Sequence, residues 1–223
     1  MRGRMALAAM AAAVGGIVGL SPMTQAGERV TLTGEVWVDN WFTLWANGQK
    51  VIEDSTPYKT ERSFNAERFT FEAEMPVTLA FEFRDFMENE TGLEYIGSRR
   101  QQMGDGGAIA QFKDAGGKLI AVTDEAWRCL VRQHAPVDER CEKERDPKVD
   151  TGPCAQEVAA VGDDWTSPGF DDSAWPAATE HSAREVGPKD GYDEIRWDRS
   201  AKLIWAPDLK RDNIVLCRLT ADN

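Results

Sequence analysis

Apolar and polar residues alternate in short runs along this chain, a spacing that fits half-buried β-strands and not helices. Strand-like runs cover residues 29–38, 41–46, 49–52, 68–71, 77–83, 108–112, 119–123, 203–205 and 214–219. Gly, Pro, Asp and Asn fill the segments between them, and no stretch of 12 residues keeps a helical apolar period with caps. Many short strands joined by turns predict an all-β protein, an antiparallel β-sandwich.

Turn residues and aromatic side chains refine this prediction. Asn47 and Gly48 tolerate positive φ and predict a hairpin turn. Residues 115–117 predict a second hairpin. Period-two alternation places one set of apolar side chains on a buried face: Phe69, Phe71, Leu79, Phe81 and Phe83. We expect residues 27–223 to form a single domain, with an irregular insertion over about residues 132–162.

The first 26 residues are typical of a signal peptide. Arg2 and Arg4 give a basic start, and an uncharged apolar run of 16 residues follows from Met5 to Leu20. A cleavage site is predicted between Ala26 and Gly27. A bilayer-spanning helix needs roughly 20 residues, so we expect export to the periplasm or secretion and no membrane span in the mature chain. An uncleaved anchor is the alternative.

The charge balance excludes one class of partner. The chain of 223 residues has 26 basic and 38 acidic residues, a net charge of −12 that becomes −14 without Arg2 and Arg4. Nucleic-acid affinity depends on clustered Lys and Arg, so no nucleic-acid partner is expected.

Four cysteines in an exported chain are expected to pair as disulfides, with a thiolate metal site as the alternative. Three pairings are open to them. Cys141 and Cys154 bracket a polar stretch that would be floppy unless tied. Cys129 and Cys217 lie in strand-like runs that could be neighbours. We predict Cys129–Cys217 and Cys141–Cys154.

Four segments resemble the galactose-binding-like jelly-roll domains that accompany bacterial glycoside hydrolases such as rhamnosidases and β-galactosidases. The segments are FTLWANGQKV, GGAIAQFKDAGGKLIAVTDEAWR, WTSPGFDDSAWPAATE and AKLIWAPDLKRDNIVLCRLT. The resemblance spans nearly the whole mature chain. It implies a non-catalytic module of two antiparallel sheets, often associated with carbohydrate and sometimes holding a structural calcium ion.

Two tryptophans are candidate ligand-binding residues. Strand alternation places Trp41 and Trp45 on one face and Phe42 and Leu44 on the other. If the second pair faces the core, two indoles project outward, where the apolar face of a sugar ring can stack on them. The alternative is that both sheet faces are covered and these rings belong to the core.

A long irregular stretch, residues 84–108, is the second candidate ligand site. It carries Tyr95, Arg99, Arg100 and Gln102. An arginine guanidinium there could bind the carboxylate of an acidic sugar or another polyanion in bidentate fashion. The alternative is a solvated loop whose arginines pair with the surplus carboxylates.

Calcium is the one cofactor that the sequence suggests, as a structural ion bound by carboxylate, amide and carbonyl oxygens. Asp39, Asn40 and Asp105 are the candidate ligands.

No catalytic motif accompanies His134 or His181, both of which we expect in loops. We therefore expect a non-catalytic module that binds a glycan, with a structural or protein-interaction module of the cell envelope as the alternative. A hydrolase that uses Asp171 and Asp172 is a third class, although adjacent Asp residues in FDDSAW are also expected to cap their own turn.

Overall fold

A computed structural model describes residues 27–61 and 64–222, so the predicted signal peptide lies outside the described residues. In chain order the described residues form these strands: β1 (Arg29–Asp39), β2 (Trp41–Ala46), β3 (Gln49–Glu53), β4 (Ala66–Glu74), β5 (Val77–Arg84), β6 (Leu93–Glu94), β7 (Gln102–Met103), β8 (Gly107–Asp114), β9 (Leu119–Val122), β10 (Arg128–His134), β11 (Glu157–Val158), β12 (Thr179–His181), β13 (Leu203–Trp205) and β14 (Asp212–Ala221). A short helix, α1 (Ala183–Val186), lies between β12 and β13, and 3-10 helices cover Glu139–Lys143, Gly152–Cys154 and Tyr192–Glu194.

Two antiparallel sheets of six strands pack as a sandwich, as predicted. The first sheet has the order β12-β13-β8-β1-β4, with β9 paired to β8. The second has the order β11-β10-β14-β5-β2-β3. Strands β6 and β7 form a separate two-stranded sheet. No helix in the described ranges is long and apolar enough to cross a membrane.

All nine predicted strand runs coincide with observed strands. The predicted hairpin between β2 and β3 is also present, with positive φ at Asn47 and Gly48. β10 corresponds to the strand-like run around Cys129, and four strands were not predicted: β6, β7, β11 and β12. Each has only two or three residues, too few to show a period of two.

The core lies between the two sheets, and Phe81 of β5 is at its centre. Its ring contacts Phe42 and Phe83 in its own sheet, with centroids 5.8 and 4.7 Å away. It also contacts Phe112 of the first sheet at 6.1 Å and Trp127 at 5.6 Å. The predicted apolar set packs on this core from both sheets: Phe69 and Phe71 from β4, and Leu79, Phe81 and Phe83 from β5.

Both predicted disulfides are present. Cys129 of β10 and Cys217 of β14 are directly paired across the two strands, with Cα atoms 4.1 Å apart. Cys141 and Cys154 join two 3-10 helices of the insertion, with Cα atoms 4.9 Å apart.

The predicted insertion is less separate than the sequence suggests. Its first residues, 132–134, belong to β10, and β11 near its end pairs with β10. Cys141 and Cys154 pack with Leu93 and Met103 of the β6–β7 sheet. The insertion and the long stretch 84–108 therefore support each other at one end of the sandwich.

Asp54, which follows β3, provides a test by pH. Its side chain is buried, Oδ1 accepts a hydrogen bond from Thr56 N–H at 2.8 Å, and burial raises its pKa to about 6. The folded state therefore holds the Asp54 proton more tightly than the unfolded chain, and this group's stabilisation is lost as pH rises from about 4 through 6. Asp54 should therefore lower the free energy of unfolding by about 2 kcal/mol between about pH 4 and 7.5. We expect Asp54→Asn to remove this decrease. Urea unfolding at the two pH values measures it.

Asp146 is exposed, so Asp146→Asn is the matched control. The free energy of unfolding of this variant should depend on pH as that of wild type does. An Asp54→Asn protein with the same pH dependence as wild type would contradict the assignment.

Candidate functional site

The two candidate tryptophans lie on the outer face of the second sheet. Phe42 and Leu44 are fully buried in the core, whereas Trp41 and Trp45 point the other way and are half-buried. The predicted alternation of β2 is therefore confirmed.

The outer face is not open at these positions. The indole of Trp165 packs edge-on against Trp45, with ring centroids 5.3 Å apart. Trp41 contacts the ring of Tyr58 at 5.4 Å and the guanidinium of Arg84 at 5.6 Å. The expectation of two freely projecting indoles is wrong, because residues 162–175, which we call the covering segment, and Tyr58 lie over this sheet.

Arg218 of β14 anchors the covering segment to the sheet. Its side chain is only 2% exposed, and its Nε lies 2.7 Å from Asp172 Oδ2. The guanidinium also donates to the carbonyl oxygens of Trp165 and Ser167 and lies over the ring of Phe170 at 5.2 Å. One buried cation thus fixes four residues of the segment.

The FDDSAW motif has structural partners, as expected for a turn. Phe170 and Trp175 pack edge-on at 5.5 Å. Asp171 Oδ1 accepts a hydrogen bond from Ser173 N–H within its own turn, while Asp172 pairs with Arg218. The two carboxylates do not converge on one cleft, which removes the basis for a hydrolase that uses this pair.

The two histidines also differ from expectation, because both lie in strands. His134 ends β10, and its Nδ1 lies 2.6 Å from Asp212 Oδ1. His181 ends β12, and its Nε2 lies 3.1 Å from the carbonyl oxygen of Ala206.

A groove of about 510 Å³ opens on the outer face of the second sheet, and we call it the outer groove. Its floor is formed by side chains of β5, β10 and β14: Glu82, Arg84, Arg132, Ile214 and Leu216. Its walls come from the insertion and the covering segment: Gln156, Val158, Asp163 and Trp165. The volume lies within the range of small-ligand sites.

The groove combines one aromatic ring with side chains of both charges. Arg84 pairs with Glu82 on the floor. The side chain of Arg132 forms no ion pair or hydrogen bond with the described residues. The indole of Trp165 packs against Trp45 and Trp175, whose ring centroids lie 5.3 and 6.3 Å away. The arrangement offers an apolar surface for stacking beside groups that can donate and accept hydrogen bonds.

Sequence reasoning missed Arg132 and Trp165, because each falls in a segment interpreted as irregular or as a turn. The alternation of β10 and β14 could have indicated outward positions on the floor. The sequence pattern carries no signal for the wall, which depends on the covering segment folding back over the sheet.

The four candidates of the long stretch 84–108 do not line the outer groove. The guanidinium of Arg100 lies over the Tyr95 ring at 4.4 Å and 3.5 Å from Glu61 Oε1, while Arg99 is exposed. Gln102 Nε2 donates to Glu94 Oε2 at 2.8 Å. Arg100 therefore has a carboxylate partner of its own, as the alternative interpretation expected.

Three aspartates meet at one end of the sandwich, and we call them the acidic cluster. Asp39 ends β1, Asp85 follows β5, and Asp105 precedes β8. Each contributes a carboxylate oxygen to a group whose members all lie within 4.8 Å of one another. Two of the three predicted calcium ligands, Asp39 and Asp105, are thus brought together, and Asp85 is added to them.

The side-chain oxygen of Asn40, the third predicted calcium ligand, already has a hydrogen-bond partner. Its Oδ1 accepts a hydrogen bond from the backbone N–H of Phe86 at 2.6 Å, so that oxygen is already engaged. The amide fixes the start of the segment after β5, which is the segment that also presents Asp85.

Burial dominates the electrostatics of the acidic cluster. It raises the pKa of Asp39 and Asp85 well above their usual range, and neighbouring carboxylates add to the effect. Burial, with the nearby charge of Asp105, also raises the pKa of Glu94 to about 7. Burial alone would lower the pKa of Lys189, but Asp39 and Asp105 raise it above its usual value.

Comparison of the chain with protein-family models, with curated proteins and with solved structures gives no match. The resemblance to galactose-binding-like domains therefore stays a prediction.

Proposed function

We propose that this protein is an exported, non-catalytic β-sandwich module that binds a carbohydrate in the outer groove. The observation that carries the proposal is the half-buried indole of Trp165 in the wall of a groove of about 510 Å³. Indoles bind the apolar faces of sugar rings, and the flanking guanidinium, amide and carboxylate groups suit sugar hydroxyls.

Two further observations support this proposal. Trp165 is packed between Trp45 and Trp175, so its ring is held in place before a ligand arrives. Arg132 reaches the groove with its guanidinium unpaired among the described residues, so it can bind a ligand without first breaking an ion pair. In this proposal Trp45 positions Trp165 and does not itself stack on the sugar.

The disulfides support the proposed location. Two disulfides within the described chain are compatible with an oxidising compartment. Together with the predicted signal peptide they support a periplasmic or secreted protein, whose partner is a glycan of the envelope or its surroundings.

A second candidate function is a protein-interaction module of the cell envelope. Val158 of the sheet-edge strand β11 is 55% exposed, more than the other large apolar side chains exposed in the described ranges. An exposed edge strand with an apolar side chain can pair with a partner protein.

The test is a glycan array followed by titration of tryptophan fluorescence with the glycans that bind. We expect Trp165→Ala to weaken binding about thirtyfold, since a stacked indole contributes about 2 kcal/mol. Trp197→Ala is the matched control, because Trp197 packs on Tyr192 away from the groove. Binding by this control should equal that of wild type.

Arg132→Ala tests the groove without removing a packed ring. We expect it to weaken glycan binding about tenfold, with the melting temperature unchanged. The exposed Arg145→Ala is its control. Absence of quenching by every glycan at millimolar concentration would overturn the carbohydrate proposal and favour the protein-interaction module.

A further inference from the structure

The acidic cluster is independent of the outer groove and joins elements of both sheets. Asp39 and Asp105 come from the paired strands β1 and β8 of the first sheet, and Asp85 comes from the end of β5 in the second. The backbone closes tightly around it, since a Cβ on Gly104 would lie 1.6 Å from Asp85 Oδ2.

The buried carboxylates have fewer partners than burial demands. Asp39 is 0% and Asp85 1% exposed, and no oxygen of either side chain accepts a hydrogen bond of ordinary geometry from the described residues. A buried ionised carboxylate is costly unless it is paired, hydrogen-bonded or bound to a metal. The cluster thus has unpartnered oxygens that face one another.

Lys189 does not compensate for this charge. Its Nζ lies 3.0 Å from Asp105 Oδ2 and 3.5 Å from Asp39 Oδ2, but no described cation pairs with Asp85. One ammonium faces three aspartates, with Glu94 close by. The Lys189 side chain is 38% exposed, so it has room to move into solvent when another cation enters.

We infer that Asp39, Asp85 and Asp105 form a Ca²⁺ site that ties the ends of β1 and β5 to the start of β8. Ca²⁺ binds oxygens at about 2.4 Å, so three carboxylate oxygens that all lie within 4.8 Å of one another can reach one ion. The donors are all hard carboxylate oxygens without histidine or cysteine, a set that suits Ca²⁺ and not Zn²⁺ or copper.

The first experiment uses the whole protein after its metal is removed with a chelator. Calorimetric titration with CaCl₂ should show one ion bound per chain, and Ca²⁺ at a hundredfold excess over its Kd should raise the melting temperature by about 5 °C or more. Tb³⁺ should show luminescence sensitised by tryptophan, because Trp205 packs against Gly106 beside Asp105, and Ca²⁺ should displace it. The absence of both Ca²⁺ uptake and a shift of the melting temperature would overturn the inference. Equal stabilisation by Mg²⁺ would overturn the choice of Ca²⁺.

Asp85→Asn locates the ion. We expect at least about a tenfold loss of Ca²⁺ affinity, because the neutral amide replaces one of the three carboxylates that would bind the ion. Glu125→Gln removes an exposed carboxylate and should leave the affinity within about twofold of wild type. Wild-type Ca²⁺ affinity in Asp85→Asn would overturn the inference.

Lys189→Met is a second variant, for which we expect a change of Ca²⁺ affinity opposite to that of Asp85→Asn. If Ca²⁺ occupies the acidic cluster, removing the competing ammonium should tighten Ca²⁺ binding about tenfold. If Lys189 is instead the permanent counterion of the cluster, the variant should lose stability with no gain in Ca²⁺ affinity. That result would contradict the site even if Asp85→Asn fails to fold.

Discussion

Replacement of Arg218 with methionine is expected to lower the free energy of unfolding by about 2 to 4 kcal/mol. The methionine fills similar space but leaves the Asp172 carboxylate and two backbone carbonyls of the covering segment without their donor. The Asp172 side chain is 30% exposed and can be hydrated, so most of the loss comes from the carbonyl oxygens of Trp165 and Ser167, which lose a charged donor. Denaturant unfolding measures the loss.

The same variant should also lose ligand binding in the outer groove, since Trp165 is held by the Arg218 anchor. Hydrogen exchange should show faster exchange over residues 162–175 than in wild type. Arg145→Met, at an exposed position, is the control. A decrease in the free energy of unfolding below about 1 kcal/mol would be within the range of a surface ion pair and would contradict the role given to Arg218.

The two disulfides are expected to differ in their effect on stability. Cys129 and Cys217 are 88 residues apart in sequence, and Cys141 and Cys154 are 13 apart. Restricting the unfolded chain stabilises the folded state by about 5 kcal/mol for the long loop and about 3 kcal/mol for the short one. The double variant Cys129→Ala with Cys217→Ala should therefore show the larger fall in the unfolding midpoint.

The location of the effect separates the two bonds further. The Cys129–Cys217 bond joins two central strands of the second sheet, so its loss should reduce protection from hydrogen exchange throughout that sheet. Loss of Cys141–Cys154 should increase exchange only in the insertion and the β6–β7 sheet that packs on it. Equal losses of stability and protection in the two double variants would contradict this division.

The strands could be predicted from sequence because each buries one face, which forces a period of two that is visible locally. Phe42 and Leu44 were placed on the face opposite Trp41 and Trp45 on this basis, and they are fully buried. Turn chemistry is equally local, and Asn47 with Gly48 adopts the predicted positive φ. Strands of two or three residues are too short for such a pattern.

The site depended on contacts that local patterns do not encode. Arg218 and Asp172 are 46 residues apart, and nothing in either neighbourhood identifies the other as its partner. Asp39 was indicated by its position at a strand junction, and Asp105 by its glycine-rich context, MGDGG. Asp85 was missed because only the pairing of β1 with β8, and the packing of the two sheets, brings the end of β5 to them.

The position of β14 bears on when the protein can fold. This strand lies between β10 and β5 in the middle of the second sheet, yet it is synthesised after both. Until it emerges, β5 and β10 each have an open edge, and the second sheet cannot form as observed. Pairing over such long sequence distances is slow. The complete sandwich is therefore expected to form only after the chain has been synthesised through residue 221, where β14 ends.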